Sequence, residues 1–247
     1  MQWEIFLDPV NIRRLLIGDF PDGPLGGLAI TVVIAFVAII GSSILGVVFG
    51  LLRSSSKRLL RWPAAVWIEV LRSVPAVMVI FWIWFAPPYF GFEINKVFTV
   101  IIALSLFTSA YIAEIVRGGL ESVPTTQGEA ARSVGLSNRQ ALVIVILPQA
   151  LRNMIPALTG RYMVTVKNTS LAFLIGLGDL TGVATLINVR ELAPMEIYAA
   201  ILVLYFGLNR LILIASKRLE RRLTWEGIKP RRRWRVGRSV VLIPDQT

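Results

Sequence analysis

Leu25 to Leu52 contains no charged side chain, and this single run does more than any other feature to restrict what the chain can fold into. It exceeds the roughly 20 apolar residues that a helix needs to cross the hydrocarbon core of a bilayer. Composition agrees, because 55% hydrophobic residues over 247 positions is more than a soluble core requires. Within the run, Gly46 and Gly50 have the small-xxx-small spacing that lets a second helix approach closely, although glycine is also simply common in spans. With no Cys and no His, the chain has no disulfides, zinc sites of the usual kind, thiol nucleophiles or imidazole acid–base groups.

Charge sets direction. Arg53, Lys57, Arg58 and Arg61 follow the first span with no acid among them, which by the positive-inside rule predicts a cytoplasmic loop and an outside N-terminus. Met1 to Pro24 is too interrupted to span and lacks the pattern of a signal peptide. Trp62 to Ala86 returns through the membrane, with Trp82, Trp84, Phe85 and Tyr89 gathering at the outer interface before Pro87 and Pro88 end it. Val97 to Ile115 is the third span. Pro148 and Pro156 are expected to kink or break the next helix, so the fourth span is placed from about Ile155 to the Lys167–Leu171 region. Leu171 to Val189 reads either as an extra span or as a helical excursion beside the outer surface. Ile197 to Ser216 is a clear span, and Lys217, Arg218, Arg221 and the basic run after Pro230 place the tail inside.

An outside N-terminus and an inside C-terminus require an odd number of crossings, which favours five. The expected division is an extracytoplasmic segment over 1–24, a transmembrane domain over 25–216 and a basic cytoplasmic tail over 217–247. The net charge of +11 comes from basic groups at span ends and in that tail, which suits an anionic lipid leaflet better than nucleic acid.

One polar island interrupts this pattern, from Thr126 to Pro148. Thr126 with Glu129 has the spacing of a capping box, predicting a short helix from Gln127. Gly135 can end it in the left-handed conformation, and Ser137 with Gln140 repeats the box and starts a second helix. A helix of about two turns is not stable alone in water, so other parts of the protein must hold it. Ala130, Ala131 and Val134 are expected to form a small docking face. The alternative is an ordinary cytoplasmic loop.

Ionisable groups inside spans are costly and tend to face a bundle interior or a wet path. Glu69 with Arg72, and Glu114 with Arg117, share the spacing Glu-x-x-Arg, one helical turn apart. They read either as pairs that neutralise each other or as parts of a substrate path, and Pro75 suggests a locally open helix beside Arg72. Lys167, Asn168, Thr169 and Ser170 offer a cation, an amide and two hydroxyls, enough to receive a carboxylate or to join two helices. Arg161 falls on a different helical face from this cluster and reads as structural. Tyr111, one turn before Glu114, reads first as a packing aromatic. No phosphate-cradling Gly-x-x-x-x-Gly-Lys-Ser/Thr occurs, so the energy for any transport must come from a gradient or a partner.

Glu129-Ala130-Ala131, Gly135 and Leu147-Pro148 resemble the EAA motif of the membrane-spanning subunits of ATP-binding-cassette (ABC) importers. Leu71-Arg72-Ser73-Val74-Pro75, the stretch Ala110 to Ile115 with Arg117-Gly118-Gly119, and Lys167 to Leu171 resemble segments of the polar amino-acid permease branch. Three positions depart from the pattern: Val145 stands for the usual Ile, Thr126 for Gly, and Asn168 for Asp, the last removing a negative charge.

The resemblance implies an all-α polytopic membrane protein of about five transmembrane helices, with the architecture of a type I ABC importer permease and an EAA loop over about 118–148. It implies ATPase coupling through Gln127, Glu129, Ala130, Ala131, Gly135, Leu147 and Pro148, and a substrate path near Arg72, Tyr111, Glu114, Lys167, Asn168, Thr169 and Ser170. The chain itself is expected to be no enzyme and to bind no cofactor, with ATP and Mg on a partner ATPase dimer. A second permease subunit, an extracytoplasmic solute-binding protein and membrane lipids complete the expected partners. Polar L-amino acids are the expected cargo, glutamate or aspartate first, with another polar amino acid or an opine as the alternative. A secondary carrier or a membrane scaffold without an ATPase is the rival from another class.

Overall fold

The computed structural model describes residues 3–223, and apart from two isolated bridges its secondary structure is helical. The basic run after Pro230 lies outside the described residues. A 3-10 turn, Trp3–Leu7, precedes α1 (Pro9–Ile17), which Asp8 caps by accepting the N–H of Val10 at 2.9 Å. Then come α2 (Gly27–Arg53), α3 (Arg58–Ser73), α4 (Ala76–Phe85), α5 (Lys96–Glu121), α6 (Thr125–Ser133) and the single turn α7 (Asn138–Gln140). A π-helical stretch, Ala141–Ile146, runs into α8 (Leu147–Asn168) and the 3-10 segment Thr169–Ile175, and α9 (Leu180–Glu191) and α10 (Pro194–Leu223) follow.

Four of these stretches are long and apolar enough to cross a membrane: Gly27–Arg53, Lys96–Glu121, Asn138–Ile175 and Pro194–Arg221. A further apolar pair, Arg58–Ser73 with Ala76–Phe90, turns through 103° at Val74–Pro75 and forms either a broken fifth span or a re-entrant loop. Pro75 explains the break, since it has no N–H to continue α3 and disfavours helical backbone in the residue before it.

The fourth crossing corrects the expected position. It is continuous from Asn138, and neither proline breaks it. At the end of the π-helical stretch the N–H of Leu147 donates to the carbonyl of Leu142, a wider turn that relieves the clash Pro148 would cause in a regular helix. The open choice over Leu171 to Val189 also resolves. At 12 residues α9 is too short to span, and it packs beside the ends of α1, α2 and α10 through Leu15, Leu180, Ala184, Ile187 and Ile197.

The central core joins Ile34 and Ala38 of α2 to Ile80 of α4 and to Val100, Ala103 and Leu104 of α5. The glycine spacing on α2 serves this packing, because a Cβ at Gly46 would lie 2.5 Å from Ile112 and one at Gly50 2.8 Å from Val116. Polar ties cross the bundle as well: Thr108 to Thr165 at 3.0 Å, Ser43 to Tyr162 at 2.8 Å, and Thr159 to Ser216. The opposite side of α2 leaves Val32, Val33, Phe36, Ile40 and Ile44 exposed, as a lipid-facing surface requires.

Candidate functional site

Two features stand out from this apolar frame: the short helix α6 at one end and a charged, open hollow between three helices. The α6 helix begins at Thr125, two residues before the predicted start. Pro124 supplies the N-cap with no side-chain bond, so the capping box expected from Thr126 and Glu129 does not form. Proline just ahead of a helix already presets the backbone there, and Thr126 falls inside the first turn. The exit follows expectation. Gly135 has φ +89°, its N–H donates to Arg132 O at 2.9 Å, and the N–H of Leu136 donates to Ala131 O at 3.2 Å, which is a Schellman ending. Ser137 and Gln140 form the second capping box at 3.3 and 2.9 Å.

The docking face also needs correction. Ala131 and Gly128 turn inward, with Gly128 close to Ile146 on the π-helical stretch. Gln127, Glu129 and Ala130 are exposed, as is Val134 at 78%. Gln127, Ala130 and Val134 recur at helical spacing and form the outward stripe. Leu147 is half-buried and Pro148 exposed where α8 begins. Beneath them Val123, Ile112, Val116, Ala150 and Met154 form a buried cluster that fixes the α6 loop to α5 and α8.

The cavity, about 390 Å³, opens among α3, α5 and α8 and is lined by Arg72, Tyr111, Glu114, Ile115, Ala157, Gly160, Arg161 and Val164. Glu114 is its anionic centre. Arg117 holds both carboxylate oxygens at 3.0 and 3.3 Å and also reaches Glu121 at 2.6 Å, while Arg72 approaches Glu114 at 3.6 Å. The Glu114–Arg117 pair is therefore the predicted one. The Glu69–Arg72 pair is not, because Glu69 meets Arg53 of α2 at 3.4 Å and leaves Arg72 to Glu114. Tyr111 is shared by two guanidinium groups, with Arg161 3.7 Å and Arg72 5.6 Å from its ring centroid.

Lys167, Asn168, Thr169 and Ser170 do not line this cavity. Thr169 is buried and donates to Val166 O at 2.7 Å, and Ser170 donates to Lys167 O at 2.7 Å, so both hydroxyls satisfy carbonyls of their own helix. Sequence reasoning missed Arg161. The signal in the sequence is an arginine in an apolar span; its spacing from Lys167 fixes its face on α8 but encodes nothing about Tyr111 on α5. A second hollow, about 520 Å³ beside α4, is lined by Met78, Phe81, Trp82, Phe85 and their neighbours. Its wall has no charged group, which makes it a poor site for a polar solute.

A helical bundle with several stretches long and apolar enough to cross a membrane, a charged hollow between three of its helices and a short helix presented at one end fit a membrane permease. The family model described as binding-protein-dependent transport system inner membrane component matches residues 42–225. The "Probable glutamine ABC transporter permease protein" of Bacillus subtilis (strain 168) is 37% identical over 203 residues, covering 80% of this chain and 92% of its own. The glutamate/aspartate import permease protein of Escherichia coli O157:H7 is 31% identical over 208 residues, covering 80% and 92%. A crystal structure of an amino acid ABC transporter with histidines superposes with a TM-score of 0.74 at 33% identity, covering 79% of this chain and 92% of the other. The chain belongs to the family of binding-protein-dependent transport system inner membrane components. It is a multi-pass inner-membrane transport component and not an enzyme, which removes the readings as a secondary carrier or a scaffold.

Proposed function

We propose that this chain is the permease subunit of an ABC importer for polar L-amino acids, with glutamate or aspartate as the cargo. The observation that supports it is the cavity: Arg72, Glu114 and Arg161 are gathered in one hollow between three helices of a largely apolar bundle. Two guanidinium groups and a carboxylate can meet the carboxylate and ammonium ends of an amino acid. ATP and Mg belong to a separate ATPase dimer, a second permease subunit faces this one, and a solute-binding protein delivers the cargo.

In this reading α6 is the coupling helix. Gln127, Glu129, Ala130 and Val134 meet the ATPase, while Ala131, Gly135, Leu147 and Pro148 hold the helix in place. The N-terminus lies outside and the C-terminus in the cytoplasm, so residues 1–24 face the binding protein's side and 217–247 the cytoplasmic leaflet. Cysteines introduced singly into this Cys-free chain test the orientation: one at Asp19 should react with an impermeant maleimide in intact spheroplasts, and one at Arg218 should not.

The function is tested by ATP-dependent uptake of labelled glutamate into proteoliposomes that hold the permease, ATPase and binding protein. The variant Ala130→Trp should assemble normally, since Ala130 is exposed, yet should lower uptake at least about tenfold, the loss expected when one well-packed contact is replaced by a clash. Wild-type uptake in this variant would refute the coupling assignment.

A further inference from the structure

We propose that the outward face of α3 binds one anionic phospholipid, its phosphate held by Lys57, Arg58 and Arg61 and an acyl chain lying along the apolar residues that follow. The proposal rests on the reading that places the loop over 53–61 at the cytoplasmic leaflet, and it names the lipid that this loop holds.

The start of α3 stands clear of the bundle. Every residue from Lys57 to Pro63 is exposed, and burial begins only at Ala64 and Ala65. Two of these exposed residues are large and apolar, Leu59 at 85% and Trp62 at 65%. Basic side chains interleaved with Leu and Trp suit the boundary between head groups and acyl chains, where one end of each group is wet and the other is not. An open hollow of about 380 Å³ lies here, walled by Arg58, Leu59, Trp62 and Pro63. Its wall therefore offers a guanidinium beside an indole and a leucine.

Charge calls for an anion. Arg53 pairs with Glu69 at 3.4 Å, whereas Lys57, Arg58 and Arg61 form no ion pair among the described residues. The first turn of α3 contains no acid. Lys57 and Arg58 stand four and three residues before Arg61, so like charges are neighbours on the helix surface and repel. An anion among them removes that repulsion. The basic run after Pro230 has the same sign and cannot supply it.

Shape selects a phospholipid over a soluble phosphate. From Leu59 the exposed apolar residues continue through Trp62, Val66 and Val70, spaced by three, four and four, as one stripe up the helix. At 1.5 Å per residue that stripe is about 16 Å long. This is about half the hydrocarbon thickness, the depth of one leaflet. A basic end joined to an apolar stripe matches an anionic head joined to an acyl chain. The same helix carries Glu69 to Arg53 of α2 and Arg72 to Glu114 of α5, so a lipid held at its end steadies both contacts.

Native mass spectrometry of the permease–ATPase complex, titrated in detergent with phosphatidylglycerol or phosphatidylcholine, tests the site. The wild type should retain phosphatidylglycerol at least about tenfold more tightly than phosphatidylcholine. The double variant R58Q/R61Q should lose about ten- to thirtyfold for phosphatidylglycerol, and R218Q, at an exposed arginine of α10, should lose nothing. Free glycerol 3-phosphate should not compete. A wild type without the preference, an R58Q/R61Q complex with unchanged affinity, an equal loss in R218Q, or competition by glycerol 3-phosphate each overturns the proposal. In nanodiscs containing phosphatidylglycerol, p-benzoylphenylalanine at Leu59 should crosslink to lipid; a crosslink to the ATPase or to a second permease chain instead also overturns it. Maleimide labelling at positions 19 and 218 decides the orientation separately, so a wrongly placed loop and a loop without a lipid are told apart.

Discussion

At the scale of the residue, Asp179 shows how burial alters chemistry at the α9 end. Its carboxylate caps α9, accepting the N–H of Gly182 at 3.0 Å and of Thr181 at 3.3 Å. Burial outweighs these bonds and pushes its pKa up from the ordinary 3.8 to about 6. An acid that holds its proton more tightly when folded contributes stability that is complete below about pH 4 and lost as pH rises through about 6. Thermal unfolding of the complex should therefore show a midpoint that falls across that window, and Asp179→Asn should flatten the fall. An unchanged slope in the variant would show that another group titrates. The same residue scale separates what the sequence disclosed from what it did not. Glu114 with Arg117 was legible because both lie on one helix at fixed spacing. The pairing of Arg72 with Glu114 and the approach of Arg161 to Tyr111 cross between helices, and no spacing along one chain segment encodes them.

At the scale of the element, punctuation was read well where the local chemistry had no competitor. The Gly135 ending and the Ser137–Gln140 box form as their residues dictate. The start of α6 departs from the Thr126–Glu129 spacing because the backbone enters the helix at Pro124 and leaves Thr126 inside the first turn. These two boxes predict opposite outcomes. Ser137→Ala should destabilise the loop by about 1 kcal/mol, the usual loss for a cap, whereas Thr126→Ala should be neutral or slightly stabilising because alanine is the better helix former. Limited proteolysis of the α6–α7 region reports the difference; faster cleavage in the Thr126 variant alone would contradict the assignment. Proline at 148 misled for a related reason. The interior rule assumes a regular helix, and the π-helical turn before it removes that assumption.

At the scale of the whole molecule, the crossings were legible because lipid imposes length and charge rules on each segment separately. What those rules leave open is how crossings pair, and this is where the cavity arises: α3, α5 and α8 each contribute one or two of its walls' polar groups. The corner between α3 and α4 has a consequence for the solvent. Pro75 gives α4 no side-chain cap, and the first amides of any helix lack partners within it. Inside hydrocarbon such groups cannot stay bare, so a 103° corner within a crossing can persist only where protein or water reaches it. Hydrogen–deuterium exchange in nanodiscs should find the amides of Ala76 and Val77 exchanging faster than those of Val100 to Leu104, which are packed in the centre. Equal protection would mean a corner sealed by protein. The bend thereby works as a moisture gauge: fast exchange at its first amides would place water, rather than protein, along that face of the bundle.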